Sequence, residues 1–179
     1  MSCILIGSDF HGSLYYAKKF FAEVEKRNPE RILLLGDYYY NGARNVPPEG
    51  YSPKEVVELL NSYADRIIAV KGNCESEVDS WVSQFTICDM AYVRFYDKDI
   101  VMAHGHHSSF ENLPKGKYDI FLQGHTHIGV LKKENGIILA NPGSVSLPKD
   151  GRHSFLVMDE KGMDLVDLLT GEKVLSLEF

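Results

Sequence analysis

From Cys3 to Val70 short apolar runs alternate with segments of helical periodicity, and this alternation constrains the fold more than any other feature of the chain. Cys3 to Gly7 is an apolar run ending in a polar turn, after which Leu14, Ala17, Phe21 and Val24 recur at helical spacing. Arg31 to Leu35 repeats the strand pattern. Ser52-Pro53-Lys54-Glu55 then reads as a capping box with proline at the first helical position, opening a helix through Leu60. Ile67 to Val70 is the third strand. The order βαβαβ predicts a parallel sheet with helices on both faces, because parallel neighbours need crossover connections.

The second half changes period. Ala91 to Tyr96 and Asp99 to Ala103 flank an Asp-Lys turn, and Val130 to Lys133 and Ile137 to Ala140 flank Asn135-Gly136, which predicts two hairpins. Ser154 to Met158, Asp164 to Leu168 and Lys173 to Leu177 continue as short strands separated by glycine-containing turns. The Asn-, Gly- and Pro-containing loop from Tyr38 to Tyr51 is long enough to suggest a functional role.

With 179 residues, 44% of them hydrophobic, the chain is expected to form a single domain, 1–179, around a sizeable core. It has no apolar run of the ~18 residues that a membrane helix needs, and its start lacks a signal-peptide pattern. Cys3, Cys74 and Cys88 are scattered, which indicates neither a disulfide framework nor a zinc cage, so a cytoplasmic protein is expected. The net charge of −6 comes without a Lys/Arg stripe, so no dedicated nucleic-acid surface and no membrane partner are expected.

Polar residues competent to bind metal follow five of the apolar runs. Asp9 and His11 follow the first strand, Asp37 the second and Asn73 the third; His104 follows Ile100 to Ala103, and His125 and His127 follow Asp119 to Leu122. Open α/β sheets bind ligands at the carboxyl ends of their strands, so topology brings these side chains to one edge. Imidazole, carboxylate and one amide oxygen form a mixed N/O set suited to manganese, iron or zinc rather than calcium or magnesium. Seven ligands exceed the needs of one four-coordinate ion, and a carboxylate such as Asp37 can bridge two ions about 3.5–4 Å apart. Glycines flank nearly every member of the set, and Asn141-Pro142-Gly143-Ser144 is placed to buttress it.

The segments SDFHGS (8–13), GDYYYNG (36–42), GNCE (72–75), AHGH (103–106), GHTH (124–127) and NPGS (141–144) stand in the order of the calcineurin-like metallophosphoesterase motifs, and the chain resembles that superfamily from near its N-terminus to about Pro148. Within it, NGARN and PEGYSPKEVVELLN resemble the small bacterial phosphodiesterases of the YfcE type. The resemblance implies a four-layer α/β/β/α sandwich of two mixed sheets flanked by helices, with the late hairpins building the second sheet. It implies one divalent ion held by Asp9, His11 and His127, another by Asn73, His104 and His125, and Asp37 bridging them. It further implies frequent manganese dependence, with zinc or iron as alternatives, a small phosphoester substrate, and a homo-oligomer, dimer or tetramer.

The expected reaction is hydrolysis of a phosphoester, most readily a diester, by direct attack of a hydroxide that bridges the two metals. Many superfamily members carry a histidine after the asparagine of the GN motif, thought to serve as general acid; this chain has Cys74, with His106 as another candidate donor. A thiol is a weak acid at neutral pH, so good leaving groups are expected to be favoured. Arg44, with Asn41 and Asn45, is placed to contact phosphate oxygens. The competing reading is a protein-binding scaffold on the same fold, as in the related retromer subunit; the presence of Asn73 and every other expected ligand argues for catalysis.

Overall fold

The computed structural model describes residues 2–179; Met1, which the single-domain expectation included, lies outside the described residues. The first half alternates β1 (Ile4–Gly7), α1 (Leu14–Arg27), β2 (Arg31–Leu34), α2 (Pro53–Asn61) and β3 (Ile67–Val70), followed by α3 (Glu77–Val82) and β4 (Ile87–Cys88). Local chemistry sets several boundaries. The Ser13 hydroxyl accepts a hydrogen bond from the Tyr16 amide to start α1, and Asn28 in the left-handed region ends it. The expected capping box at Ser52 does not form: Ser52 Oγ donates to the Glu55 carboxylate at 2.6 Å and leaves the helix amides uncapped. The equivalent interaction opens α3, where Ser76 N–H donates to Asp79 Oδ2 at 2.7 Å.

The second half supplies β5 (Met90–Phe95), β6 (Lys98–Ala103), β7 (Ile120–Leu122), β8 (Gly129–Glu134), β9 (Ile137–Pro142), β10 (Ser154–Met158), β11 (Gly162–Asp167) and β12 (Lys173–Glu178). Asn135-Gly136 forms the β8–β9 turn with both φ positive, as expected. The β5–β6 turn is Tyr96-Asp97 rather than Asp97-Lys98, since Phe95 pairs with Lys98.

Two mixed sheets result, of order β12-β11-β10-β1-β2-β3-β4 and β5-β6-β7-β9-β8. Both expected hairpins, β5–β6 and β8–β9, build the second sheet with β7, whereas the short strands β10–β12 extend the first, β10 pairing antiparallel with β1. Period-two patterning makes a strand but does not name its neighbour.

The parallel strands β1, β2 and β3 are buried on both faces, which explains their near-continuous apolar runs. Leu5, Ile32, Leu34 and Ala69 pack with Phe20, Phe21, Val24, Val56 and Leu60 of the two main helices. Ile4, Ile6, Leu33 and Val70 meet Ile100, Met102, Ile120, Leu122 and Ile138 of the second sheet. The expectation of helices on both faces of the parallel sheet is thus corrected: the second cover is a sheet, and a buried strand reads the same under either. On the outer face of the second sheet, Val101, Phe121 and Leu139 are covered by the irregular segment carrying Phe110, Leu113 and Tyr118.

Candidate metal centre

The carboxyl ends of β1, β2, β3, β6 and β7 meet at one edge, where hydrogen bonds tie neighbouring loops together and the His125 amide, donating to Asp9 Oδ2 at 3.1 Å, links the two sheets. Asp9 N–H donates to the Gly36 carbonyl at 3.0 Å and His11 N–H to the Asp37 carbonyl at 2.9 Å. Nine described non-glycine residues have positive φ; Asp9, His11, Asp37, His125 and His127 are five of them, and the other four sit at a helix end or in hairpin turns. Left-handed backbone costs about 1–2 kcal/mol per residue, and strain concentrated on one set of side chains marks a site whose geometry matters. Gly72 shows how tightly the edge is packed: a Cβ there would collide with the Asp37 carboxylate.

The clearest feature is the orientation of the imidazoles. His11 Nδ1 lies 2.9 Å from the Tyr40 carbonyl oxygen, and His127 Nδ1 lies 2.6 Å from that of Leu147. A carbonyl only accepts, so both rings carry a proton on Nδ1; in the neutral imidazole Nε2 is then bare, and the two Nε2 atoms face each other at 3.1 Å. Asp9 Oδ1, fully buried and without a hydrogen-bond partner, stands 3.2 Å from His127 Nε2 and 3.7 Å from His11 Nε2. Three acceptors therefore converge. Beside them, His104 Nδ1 donates to the Leu35 carbonyl at 2.6 Å, leaving Nε2 toward Asn73 Oδ1 at 3.1 Å and His125 Nδ1 at 3.2 Å. The Asp37 carboxylate stands between the groups, with Oδ2 3.7 Å from His11 Nε2 and Oδ1 3.5 Å from His104 Nε2.

Lone pairs facing lone pairs repel unless a cation joins them, and atoms sharing one ion at bond lengths of about 2.0–2.2 Å stand about 3 Å apart. The donor set thus fits a divalent metal. Asp9, His11 and His127 form one such group, and Asp9, Asp37 and His104 form another.

The charges show what the protein does with these groups when protons alone are available. Burial opposes ionisation of Asp9, yet the close imidazoles of His11 and His127 and the charge of His104 hold its carboxyl far below the usual range. Burial likewise disfavours protonated His104, but the hydrogen bond to Asp37 and the charges of Asp9 and Asp37 push it up to about 9. His11 is raised by the same balance of burial against Asp9 and Asp37. The floor carries enough negative charge to draw in cations.

Glu75 is a residue whose contribution the sequence reading did not identify. Only 7% exposed, its carboxylate accepts from the Gly72 amide at 2.6 Å, the Asp37 amide at 2.9 Å and the Tyr38 amide at 2.6 Å, so it clamps the loops after β2 and β3. Burial and the Asp37 charge push it up to about 7, against three amide donors that favour the ionised form. Asn141 and Ser144 act as the expected buttress: Asn141 Nδ2 donates to the Gly124 carbonyl at 2.8 Å, and Ser144 Oγ to the Asp9 carbonyl at 2.8 Å.

Above this floor lies a cavity of about 580 Å³ whose walls include His11, Asp37, Asn73, Cys74, His125 and His127, with Arg44, Asn45 and Lys149 at the rim. Lys149 was not anticipated; its amide donates to the His127 carbonyl at 3.0 Å, which no local motif reveals. Asn41 does not line the cavity. It is buried and exchanges 2.7 Å side-chain-to-backbone hydrogen bonds with Asn45, shaping the loop that holds Arg44. His106 also stays off the wall, 5.4 Å from the His104 ring, and burial with the neighbouring histidines lowers it to about 4. Cys74 faces the cavity, and burial beside Asp37 pushes its thiol well up. In the run Tyr38-Tyr39-Tyr40, Tyr38 and Tyr39 are core residues and only Tyr40 walls the site.

The comparisons agree with this geometry. The chain matches the calcineurin-like phosphoesterase superfamily domain over residues 1–163. It is 36% identical over 171 residues to phosphodiesterase YfcE of Escherichia coli strain K12, covering 94% of this chain and 93% of that protein. The solved structure of that E. coli phosphoesterase matches at a TM-score of 0.95 and 35% identity, over 98% of each chain. Vacuolar protein sorting 29 from Cryptosporidium parvum shares the fold, at a TM-score of 0.70 and 19% identity over 99% of this chain and 97% of that one. With its ordered motifs, its two mixed sheets and an Asp/His cluster able to hold metal at their shared edge, the chain belongs to the calcineurin-like phosphoesterase superfamily.

Proposed function

We propose that this chain is a metal-dependent phosphodiesterase with a dinuclear centre: Asp9, His11 and His127 hold one divalent ion, Asn73, His104 and His125 the other, and Asp37 both. The observation that carries this reading is the set of bare Nε2 atoms, each fixed by an Nδ1–H bond to a backbone carbonyl and aimed at other acceptors. When bound, the ions supply Lewis acidity: they attract an anionic phosphate, acidify water and offset charge gained at phosphorus.

The chain's own residues do the rest. Nδ1–H bonds to the Tyr40, Leu147 and Leu35 carbonyls hold the rings in orientation and fix their tautomers. Asn73 is oriented by its Nδ2, 3.4 Å from Cys74 Sγ, so that its oxygen faces inward. Arg44 and Lys149 at the rim contact phosphate oxygens, the guanidinium by paired hydrogen bonds and the ammonium as a point charge. Cys74 lies where many relatives carry a histidine, and a thiol is a poor general acid near neutral pH, so esters with good leaving groups are favoured.

Manganese is the expected metal, in line with the N/O donor set. The same reading has the chain working as one domain, in the cytoplasm, where the three free thiols stay reduced, and as a homo-oligomer. The scaffold alternative has no observation in its favour, because a binding platform needs neither a strained backbone at five candidate ligands nor converging lone pairs.

The test is hydrolysis of paired chromogenic phosphomonoester and phosphodiester substrates by metal-stripped protein, with manganese, zinc or magnesium added back. Turnover restored by metal, faster on the diester and absent from an Asn73→Ala, His104→Ala variant, is expected. No turnover with any metal on either ester overturns the reading.

A further inference from the structure

Beyond the cavity over the candidate metal centre, a second groove of about 440 Å³ opens on the other side of Asn45, His127 and Lys149, which line both. The segment from Leu147 to Lys149 is tied to the shared His127: the Leu147 carbonyl accepts from His127 Nδ1 at 2.6 Å, and the Lys149 amide donates to the His127 carbonyl at 3.0 Å. The groove wall is therefore fixed rigidly to one of the proposed ligands. Its character differs from that of the main cavity. Tyr16 and His153 contribute a stacked ring pair, with centroids 3.9 Å apart and planes at 14°. Val46, Leu147 and Pro148 add apolar surface, and Val46 is 82% exposed, so its side chain is open to a ligand. His153, which as a loop histidine would be expected to be merely solvated, is held in place by its Nδ1, 2.9 Å from the Val145 carbonyl oxygen.

We propose that this groove is a subsite for an aromatic ring of the phosphoester whose phosphate occupies the adjoining cavity. This rests on the phosphodiesterase reading and narrows its substrate class to esters with at least one flat aromatic or heteroaromatic group. The chemistry matches. A phosphate between the metal ligands and Lys149 is one bond from an ester oxygen, and the surface next reached is apolar and aromatic, where a ring gains burial and stacking that a short alkyl group does not. The two charged residues lining the groove, Glu49 and Lys149, have opposite signs, so it has no net preference for a second charged group.

The experiment measures binding and activity separately. Manganese-loaded protein is titrated calorimetrically with benzylphosphonate, a non-hydrolysable analogue of an aryl phosphate, and with methylphosphonate, while hydrolysis of bis(p-nitrophenyl) phosphate is followed in parallel. Benzylphosphonate is expected to bind about five- to tenfold more tightly than methylphosphonate, the ratio that ring stacking and burial of this size produce. In Tyr16→Ala, which keeps a good helix former in α1, and in His153→Ala, that ratio falls to about twofold or less while methylphosphonate affinity stays unchanged, which also reports that the fold is intact. Val46→Ser, at an exposed position, shifts the ratio in the same direction by a smaller factor. Equal affinities in the parent protein, or a ratio unaffected by all three substitutions, overturn the subsite. Absence of bis(p-nitrophenyl) phosphate hydrolysis overturns the phosphodiesterase reading, and the subsite with it.

Discussion

Asp9, His11, Asp37 and His104 at the floor of the cavity are 2% exposed or less, and backbone hydrogen bonds fix each of them, whereas Arg44, Asn45 and Lys149 at its rim are exposed and lie on loops. The floor accepts backbone strain and like-with-like contacts that only a cation relieves. The rim has no such constraint. The contrast separates two tasks: the floor fixes the chemistry, which needs position, and the rim and neighbouring groove select the ester, which tolerates variation.

The sharpest way to break this division is to substitute Asp37. Because its two carboxylate oxygens face opposite halves of the cluster, Asp37→Ala is expected to lower kcat/KM by about 10²–10³-fold, the scale of losing a group that stabilises developing charge. A loss below about tenfold would put the centre elsewhere. Glu75 comes next. It touches no substrate, yet Glu75→Gln replaces an oxygen that accepts from a backbone amide with an NH₂ that cannot, so the loops carrying Asp37 and Asn73 loosen. About 10–100-fold weaker metal affinity is expected by titration, with KM for the ester little changed.

Protons and metal compete for the floor but not the rim, so pH should separate them. In metal-free protein the folded pKa of His104 is raised to about 9, and the stability this supplies is fully present below the ordinary value near 6.5 and is lost as pH rises through 9. Asp9, whose folded pKa is depressed, contributes above its ordinary value and loses that contribution only at strongly acidic pH. The metal-free protein should therefore lose up to about 3 kcal/mol between pH 6.5 and 9, read as a falling Tm, and manganese should abolish the slope. A metal-free Tm that is flat over this window would contradict the assigned charges. The smallest effect is at the rim: Arg44→Ala is expected to raise KM several-fold, by about 1 kcal/mol, with kcat and metal affinity unchanged.

The same division governs what could be read from the chain alone. Asp9, His11, Asp37, Asn73, His104, His125 and His127 were legible because strand ends, residue type and motif order all point to one edge. Glu75 was visible only as a letter in GNCE, since its task lies in three amides brought together by two loops. Lys149 escaped because its link to His127 is a backbone contact across the fold, and Asn41 was misplaced because an amide that binds its own loop has the same composition as one that binds phosphate. In the fold, the strands were legible but their partners were not: β10 to β12 alternate as the second-sheet strands do, and only packing sets β10 beside β1 with β11 and β12 outside it.

The most direct test of the dinuclear floor is to count ions: metal-stripped protein titrated with manganese by calorimetry, with bound metal measured independently by mass spectrometry. Two equivalents per chain are expected, falling to one in the Asn73→Ala, His104→Ala variant. A single equivalent in the parent protein, or two retained in the variant, would contradict the proposed centre.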